Sequence, residues 1–250
     1  MLLAVSNPGE ASSGDLLYTI LCALLLALVH LYASKLKFLD TIPRSRWLSI
    51  ASGVSVAYVF VHLLPDLSEQ QETFAELGVF SWLEHHVYLM ALLGLVIFYG
   101  LERVVTQSQA EGDGKTAAGI YWLHIASFAV YNALIGYLLF HREESGLMSL
   151  LIYTIAMGLH FVVNDYGLNQ DHQSLYRRSG RWILAAAIIV GSAIGSAGEI
   201  SEAAISLLFS FLAGSVILNV LKEELPEERQ SRFGAFLTGA FAYTILLLLL

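Results

Sequence analysis

Cysteine is almost absent from this chain of 250 residues: Cys22 stands alone. No intrachain disulfide and no thiolate metal cluster can therefore form, and Cys22 is left the role of a small core side chain. Charge is scarce too. Lys, Arg, Asp and Glu make up 14% of the residues, against about 25% in ordinary soluble domains. With 56% hydrophobic residues and a mean hydropathy of +0.65, the balance excludes a typical water-soluble domain. Basic residues are missing from the first fifteen positions, and Lys35 and Lys37 follow the first apolar run instead of preceding it. A cleavable signal peptide is therefore not expected. There is no HExxH pattern, nucleotide-binding glycine loop or nucleophile elbow, so enzymatic activity is not expected either. A net charge of −8 offers nucleic acid no basic surface.

Long apolar runs are what the chain has in abundance. Eight of them cover approximately residues 15–34, 47–64, 83–101, 118–140, 147–166, 182–197, 203–221 and 233–250. A helix needs roughly 20 residues to cross about 30 Å of hydrocarbon. In lipid every backbone polar group must be paired internally, and uninterrupted runs of this length achieve that as helices. The expected fold is all-α: a polytopic membrane protein of eight transmembrane helices, with residues 1–250 forming a single integral-membrane domain.

Twelve of the thirteen Lys and Arg residues fall in alternate gaps: Lys35, Lys37, Arg44, Arg46; Arg103, Lys115; Arg177, Arg178, Arg181; Lys222, Arg229, Arg232. Arg142 is the one base on the other side. Short loops rich in Lys and Arg stay cytoplasmic, so both termini are expected outside, in the plasma (inner) membrane. Acidic residues divide about eleven outside to ten inside, which leaves the outer face strongly negative. Such a mouth concentrates cations; acidic loops also simply stay soluble.

Polar groups inside the runs carry the functional signal, because each costs a few kcal/mol in lipid unless paired or hydrated. At the end of the second run His62, Asp66 and Glu69 stand at i, i+4 and i+7, on one helical face. Pro65 leaves the Val61 and His62 carbonyls without their usual partners. That group suits a divalent cation, or a proline-capped helix end with a hydrated histidine. In the fifth run His160 and Asn164 share a face and Asp165 follows. His124 and Asn132 lie in the fourth run and His30 in the first. Three histidines in the inner half fit a proton or metal path, or hydrogen bonds between helices. Gly191 and Gly195, with Ser192 and Ser196, make a face for close backbone approach, as do Ala213, Gly214 and Ser215.

Together these pieces resemble the ZIP (Zrt/Irt-like) family of divalent metal transporters. The likeness rests on eight spans with outer termini and on His62-Leu-Leu-Pro65-Asp66 at the outer end of the second span. It also rests on Phe209-Ser-Phe-Leu-Ala-Gly214-Ser-Val-Ile-Leu with the later Glu224-Leu-Pro226-Glu227-Glu228, and on Gly191-Ser-Ala-Ile-Gly195. The chain departs from the family at its metal site. Ser127, Phe128 and Tyr131 stand where the fourth-span motif has His, Asn and Asp. Phe161 and Val163 replace a carboxylate and a proline in the fifth, and the sixth-span carboxylate falls near Ile188.

The resemblance implies a divalent cation such as zinc, iron or manganese as substrate, with no tightly bound cofactor. Its ligands would be drawn from His160, Asn164, Asp165 and His124, with His62 and Asp66 at the outer mouth. The departures imply the alternative, a non-transporting relative serving as scaffold, sensor or partner-binding subunit. The lipid bilayer is the expected partner, and a homodimer is compatible with the small-residue faces. His124 and His160 are expected to face one interior cavity, with Asn164 one turn below His160 and the outer group separate. Phe128 and Tyr131 are expected to pack near His160 and fill the space a metal would need. A reporter fused after Leu250 should read as exterior and one within residues 107–114 as cytoplasmic; a cytoplasmic C-terminus would overturn both the orientation and the resemblance.

Overall fold

The computed structural model describes residues 13–33, 35–36, 45–76, 85–111, 114–142, 146–198, 201–224 and 232–249. The described residues are helical apart from short turns and bends, with no strand among them. In chain order the helices are α1 (Ser13–Ala33), α2 (Arg46–Tyr58), α3 (Leu64–Glu76), α4 (His86–Glu111), α5 (Gly114–Leu138), α6 (Leu147–Leu175), α7 (Arg181–Ala197), α8 (Glu202–Glu224) and α9 (Phe233–Leu248). A π turn, Val59–Leu63, joins α2 to α3, and another, Tyr176–Gly180, joins α6 to α7.

Among the described residues, five stretches are long and apolar enough to cross a membrane: Asp15–Ala33, Arg46–Glu72, Leu147–Gln170, Tyr176–Ala197 and Glu202–Lys222. His86–Leu101 and Phe233–Leu248 are shorter apolar helices. Side-chain placement is that of a protein solvated by lipid. Leu24, Ile194 and Phe241 point outward, 47%, 57% and 64% exposed, while His30, Asn132 and Asp165 are fully buried. A soluble protein reverses this arrangement, and in lipid the apolar side chains face outward and the polar ones find partners inside. Several buried serines are satisfied on their own helix. Ser49, Ser52 and Ser55 donate to the Ser45, Leu48 and Ala51 carbonyls four residues back, as hydroxyls in apolar helices do.

Several helix limits differ from the sequence reading. The second span does not stop at Pro65. It runs through the π turn, where the Leu64 N–H reaches the Val59 carbonyl five residues back, and Pro65 then sits in the first turn of α3, where its missing N–H is least costly. Residues 107–111, beyond the third apolar run, belong to α4. Gln, Ala and Glu there are good helix formers, and α5 begins again at Gly114. The fifth span likewise continues past residue 166 as α6.

The helices pack as two groups, α1 with α5, α6 and α7, and α2–α3 with α4, α8 and α9. Between the groups, α2 lies against α6 and α4 against α5. Glycines make the tightest seams. A Cβ added at Gly53 would stand 2.1 Å from the Phe236 carbonyl oxygen, at Gly191 1.9 Å from that of Ala133, and at Gly214 1.7 Å from that of Ala91. The small-residue faces of α7 and α8 are thus used within the chain, against α5 and α4. Exchanging α1 with α7, α2 with α8, α4 with α9 and α5 with α6 maps the pair α2·α9 onto α8·α4 and α1·α6 onto α7·α5. The correspondence is partial, since α4 packs on α5 while α9 and α6 make at most a marginal contact; it resembles the internal repeats of membrane carriers and is not apparent in the sequence.

At Gly214 the obstacle is backbone, which cannot step aside as a side chain can. Gly214→Val is therefore expected to cost about 3 kcal/mol or more, the upper end for overpacking. Gly100→Ala, with nothing within 4 Å of the new Cβ, should stay within roughly 0.5 kcal/mol of wild type. Thermal unfolding of both variants in the same detergent checks this, and an unshifted Gly214→Val would remove the seam from the account.

Candidate functional site

Two polar regions stand out inside the bundle, one dry and one open. The dry one joins three helices of the first group. His30 Nδ1 on α1 lies 2.9 Å from each oxygen of Asp165 on α6, and His30 Nε2 lies 2.8 Å from Asn132 Oδ1 on α5. Asn132 Nδ2 donates to the Phe128 carbonyl at 2.7 Å, which fixes Oδ1 as the atom facing His30. The Nε2 must therefore carry a proton, and the forked approach of Nδ1 to both carboxylate oxygens is that of a second N–H donor. One proton lies between Nδ1 and the carboxylate, so the site is a buried His–Asp–Asn cluster in which both ring nitrogens have partners.

Above and beside it lies an aromatic layer. The rings of Phe98 and Phe128 meet edge to face at 5.7 Å, Phe98 and Tyr131 at 5.9 Å, and Phe98 and Phe211 at 6.5 Å. Helices α4 and α8 thus press aromatic rings from the second group onto α5. Tyr131 Oη lies 2.8 Å from His160 Nε2, so the tyrosine does lie against the fifth span, at the histidine. Burial of such rings supplies much of the packing between the groups.

The open region is a cavity at the opposite end of α2, between the two groups. Tyr58, His62, Asp66 and Gln70 line it from α2 through α3, and Ile205 and Phe209 from α8. Leu138, His141, Arg142, Ser149 and Tyr153 line it from the first group. About 40 Å³ of it is open to water centres, room for about three waters at roughly 10–15 Å³ each. His62 Nδ1 faces Asp66 at 3.4 Å, with 27% and 14% of their side chains exposed. His62 also lies edge-on to Tyr58, with centroids 5.2 Å apart. Glu69 is exposed and Gln70 lines the cavity in its place: the π turn underwinds the helix, so i+8 rather than i+7 comes round to the side of His62.

Placed together, the residues singled out from the sequence fall into separate groups. His62 and Asp66 meet as a pair at the cavity. Asp165 is committed to His30, the histidine of the first run. His160 pairs with Tyr131, and its Nδ1 has no hydrogen-bond partner; nor has Nδ2 of Asn164, which is also buried. His124 Nδ1 lies 3.0 Å from His172 Nε2, and the rings of Phe128 and Tyr131 stand between His124 and His160. Among the described residues no three His, Cys, Asp or Glu side chains gather as a metal would require. The shared inner site of His124, His160, Asn164 and Asp165 is therefore not assembled here, because each group already has, or faces, a different neighbour.

Sequence reading missed His141, Arg142, Tyr153 and His172. Arg142 carried a signal, being the one base in its set of gaps between the apolar runs; the others reach their places only through helix pairing. No family model matches this chain, and a search of curated proteins gives no match.

Removing one partner of this buried pair strands the other in apolar surroundings. Asp165→Ala is expected to cost roughly 3–5 kcal/mol, while His30→Leu with Asp165→Leu should recover most of it, since apolar replacement of a whole pair is often neutral. Unfolding titrations in mixed micelles compare the two, and a single-variant cost below about 1 kcal/mol would show that the pair is not buried as described.

Proposed function

We propose that this chain is an eight-span, ZIP-like protein of the plasma membrane, both termini outside, whose centre does not conduct divalent cations. It works instead as a sensor that takes a ligand in its outer cavity. One observation carries this reading: the residues that occupy the metal-site positions of the resembling family are engaged with each other. Tyr131 caps His160, and His30 with Asn132 consumes Asp165.

A divalent cation needs several oxygen or nitrogen donors converging at about 2 Å. Freeing Asp165 for that role would leave His30 Nδ1 buried without its partner, and freeing His160 would do the same to the Tyr131 hydroxyl. Both cost more than a single weak ligand returns. The cavity, by contrast, is lined from both helix groups. A ligand that touches both favours whichever arrangement of the groups it contacts better, and that differential affinity is all a sensor requires.

A second reading, divalent-cation transport, draws on the repeat-like pairing of the helices and on His62 and Asp66 at the cavity. Repeat-built carriers move cargo between two helix groups, and an imidazole beside a carboxylate is a first landing point for zinc. Zinc flux into proteoliposomes loaded with a zinc-sensitive dye separates the readings. The expected result is no uptake above protein-free vesicles for wild type, at any imposed pH gradient. Uptake by wild type, unchanged by Tyr131→Asp, would restore the transporter reading.

A further inference from the structure

The outer face carries one basic residue, and it lines the cavity. Arg142 follows the end of α5, where the Phe140 and His141 N–H groups close the helix onto the Tyr137 and Leu138 carbonyls. One guanidinium nitrogen caps that end by donating to the Leu139 carbonyl. Capping accounts for this nitrogen alone. The buried Nε has no hydrogen-bond partner. Burial also pulls the guanidinium below its ordinary pKa, against the opposing pull of Tyr153, Cys22 and Asp15. A buried guanidinium nitrogen with its donor unused calls for an acceptor.

The surroundings fit a small anion. Asp66, the carboxylate of the cavity lining, has His62 at 3.4 Å, so it is matched within the lining. His141 is oriented from outside, its Nε2 donating to the Gly195 carbonyl at 3.1 Å and its ring stacked on Tyr137. The Tyr153 hydroxyl donates to the Ile135 carbonyl, and Ile205 and Phe209 close the far wall. This leaves Arg142 and an apolar wall lining a space of about three waters. A planar two-oxygen group meets a guanidinium fork with paired hydrogen bonds.

We infer that the cavity binds a small monocarboxylate, with Arg142 as the anchoring cation and the wall of Ile205 and Phe209 receiving its apolar end. The inference rests on the reading of the cavity as the ligand site and deepens it by naming the ligand's class. Because the anchor belongs to one helix group and the wall to the other, the same ligand bridges both.

The test uses the full chain in phosphatidylcholine nanodiscs, sodium acetate as probe, and modification of Arg142 by phenylglyoxal read by mass spectrometry. Arg142 should react when the cavity is empty, and acetate should protect it saturably. Sodium chloride at equal ionic strength and neutral acetamide should not. In calorimetric titration Arg142→Gln should bind acetate roughly ten- to a hundredfold more weakly, the loss of one charged hydrogen-bonding partner. Unreactive Arg142, protection by chloride or acetamide equal to that by acetate, or no protection at all would overturn the inference. Labelling needs no variant, so a misfolded Arg142→Gln would not decide the matter. Zinc flux in the proteoliposomes, with acetate protection intact, would sink the non-conducting reading and leave the carboxylate site standing.

Discussion

The arrangement of the first helix group depends on one buried pair. His30 and Asp165 sit in a part of the bundle where neither can be hydrated, 0% exposed on both sides, and each is tolerable there only with the other as its partner. Because Asn132 holds the remaining imidazole nitrogen, three helices must agree in height and rotation before any of the three residues is satisfied. Apolar side chains in lipid give little such discrimination, since a leucine is as content against a tail as against another helix. The pair thus acts as a register pin for α1, α5 and α6. Arg181 on α7 reaches the Leu31 carbonyl one residue beyond His30 in sequence, which extends the pin to the fourth member of the group.

The two polar regions divide the molecule by hydration. Where the groups meet in the interior, rings from α4, α5 and α8 interlock and exclude water. At the cavity end, the same interface loosens around α3 and the start of α6, and polar side chains reappear on both walls. The glycine seams lie within the groups or pair their members, as Gly53 with α9 and Gly191 with α5 show, whereas the contact between groups uses larger side chains. Close backbone packing resists sliding, while ring-against-ring contacts have alternative rotamers. The interface between groups is thus the softer of the two kinds of contact.

Much of the helical plan was legible in the sequence, because apolar runs bounded by charge report directly on the solvent that surrounds them. Helix ends were less so. Past the expected end at residue 101, Glu102 to Glu111 continues as helix on local propensity, which hydropathy does not register. Of the site, His30 as interhelical glue and Tyr131 against the fifth span could be read from the cost of burying a polar or bulky group. The pairing of His30 with Asp165, 135 positions away, could not, since no periodicity links them. Nor could the choice of Gln70 over Glu69, which turns on a π turn that Val-Phe-Val-His-Leu does not announce.

That turn has a consequence for how the chain tolerates change in length. A π turn holds one residue more than an α turn would need, so everything after it is rotated by about 100° relative to a continuous α-helix. Residues Val59–Leu63 thus work as a phase shifter between a membrane-buried half, keyed to α9 through Gly53, and an outer half that shows Asp66 and Gln70 to the cavity. Deleting one residue there would leave both halves helical and hydrophobicity almost unchanged, yet turn the outer half away from its partners. Within this span, the spacing between residues is as much a part of the cavity as the residues are.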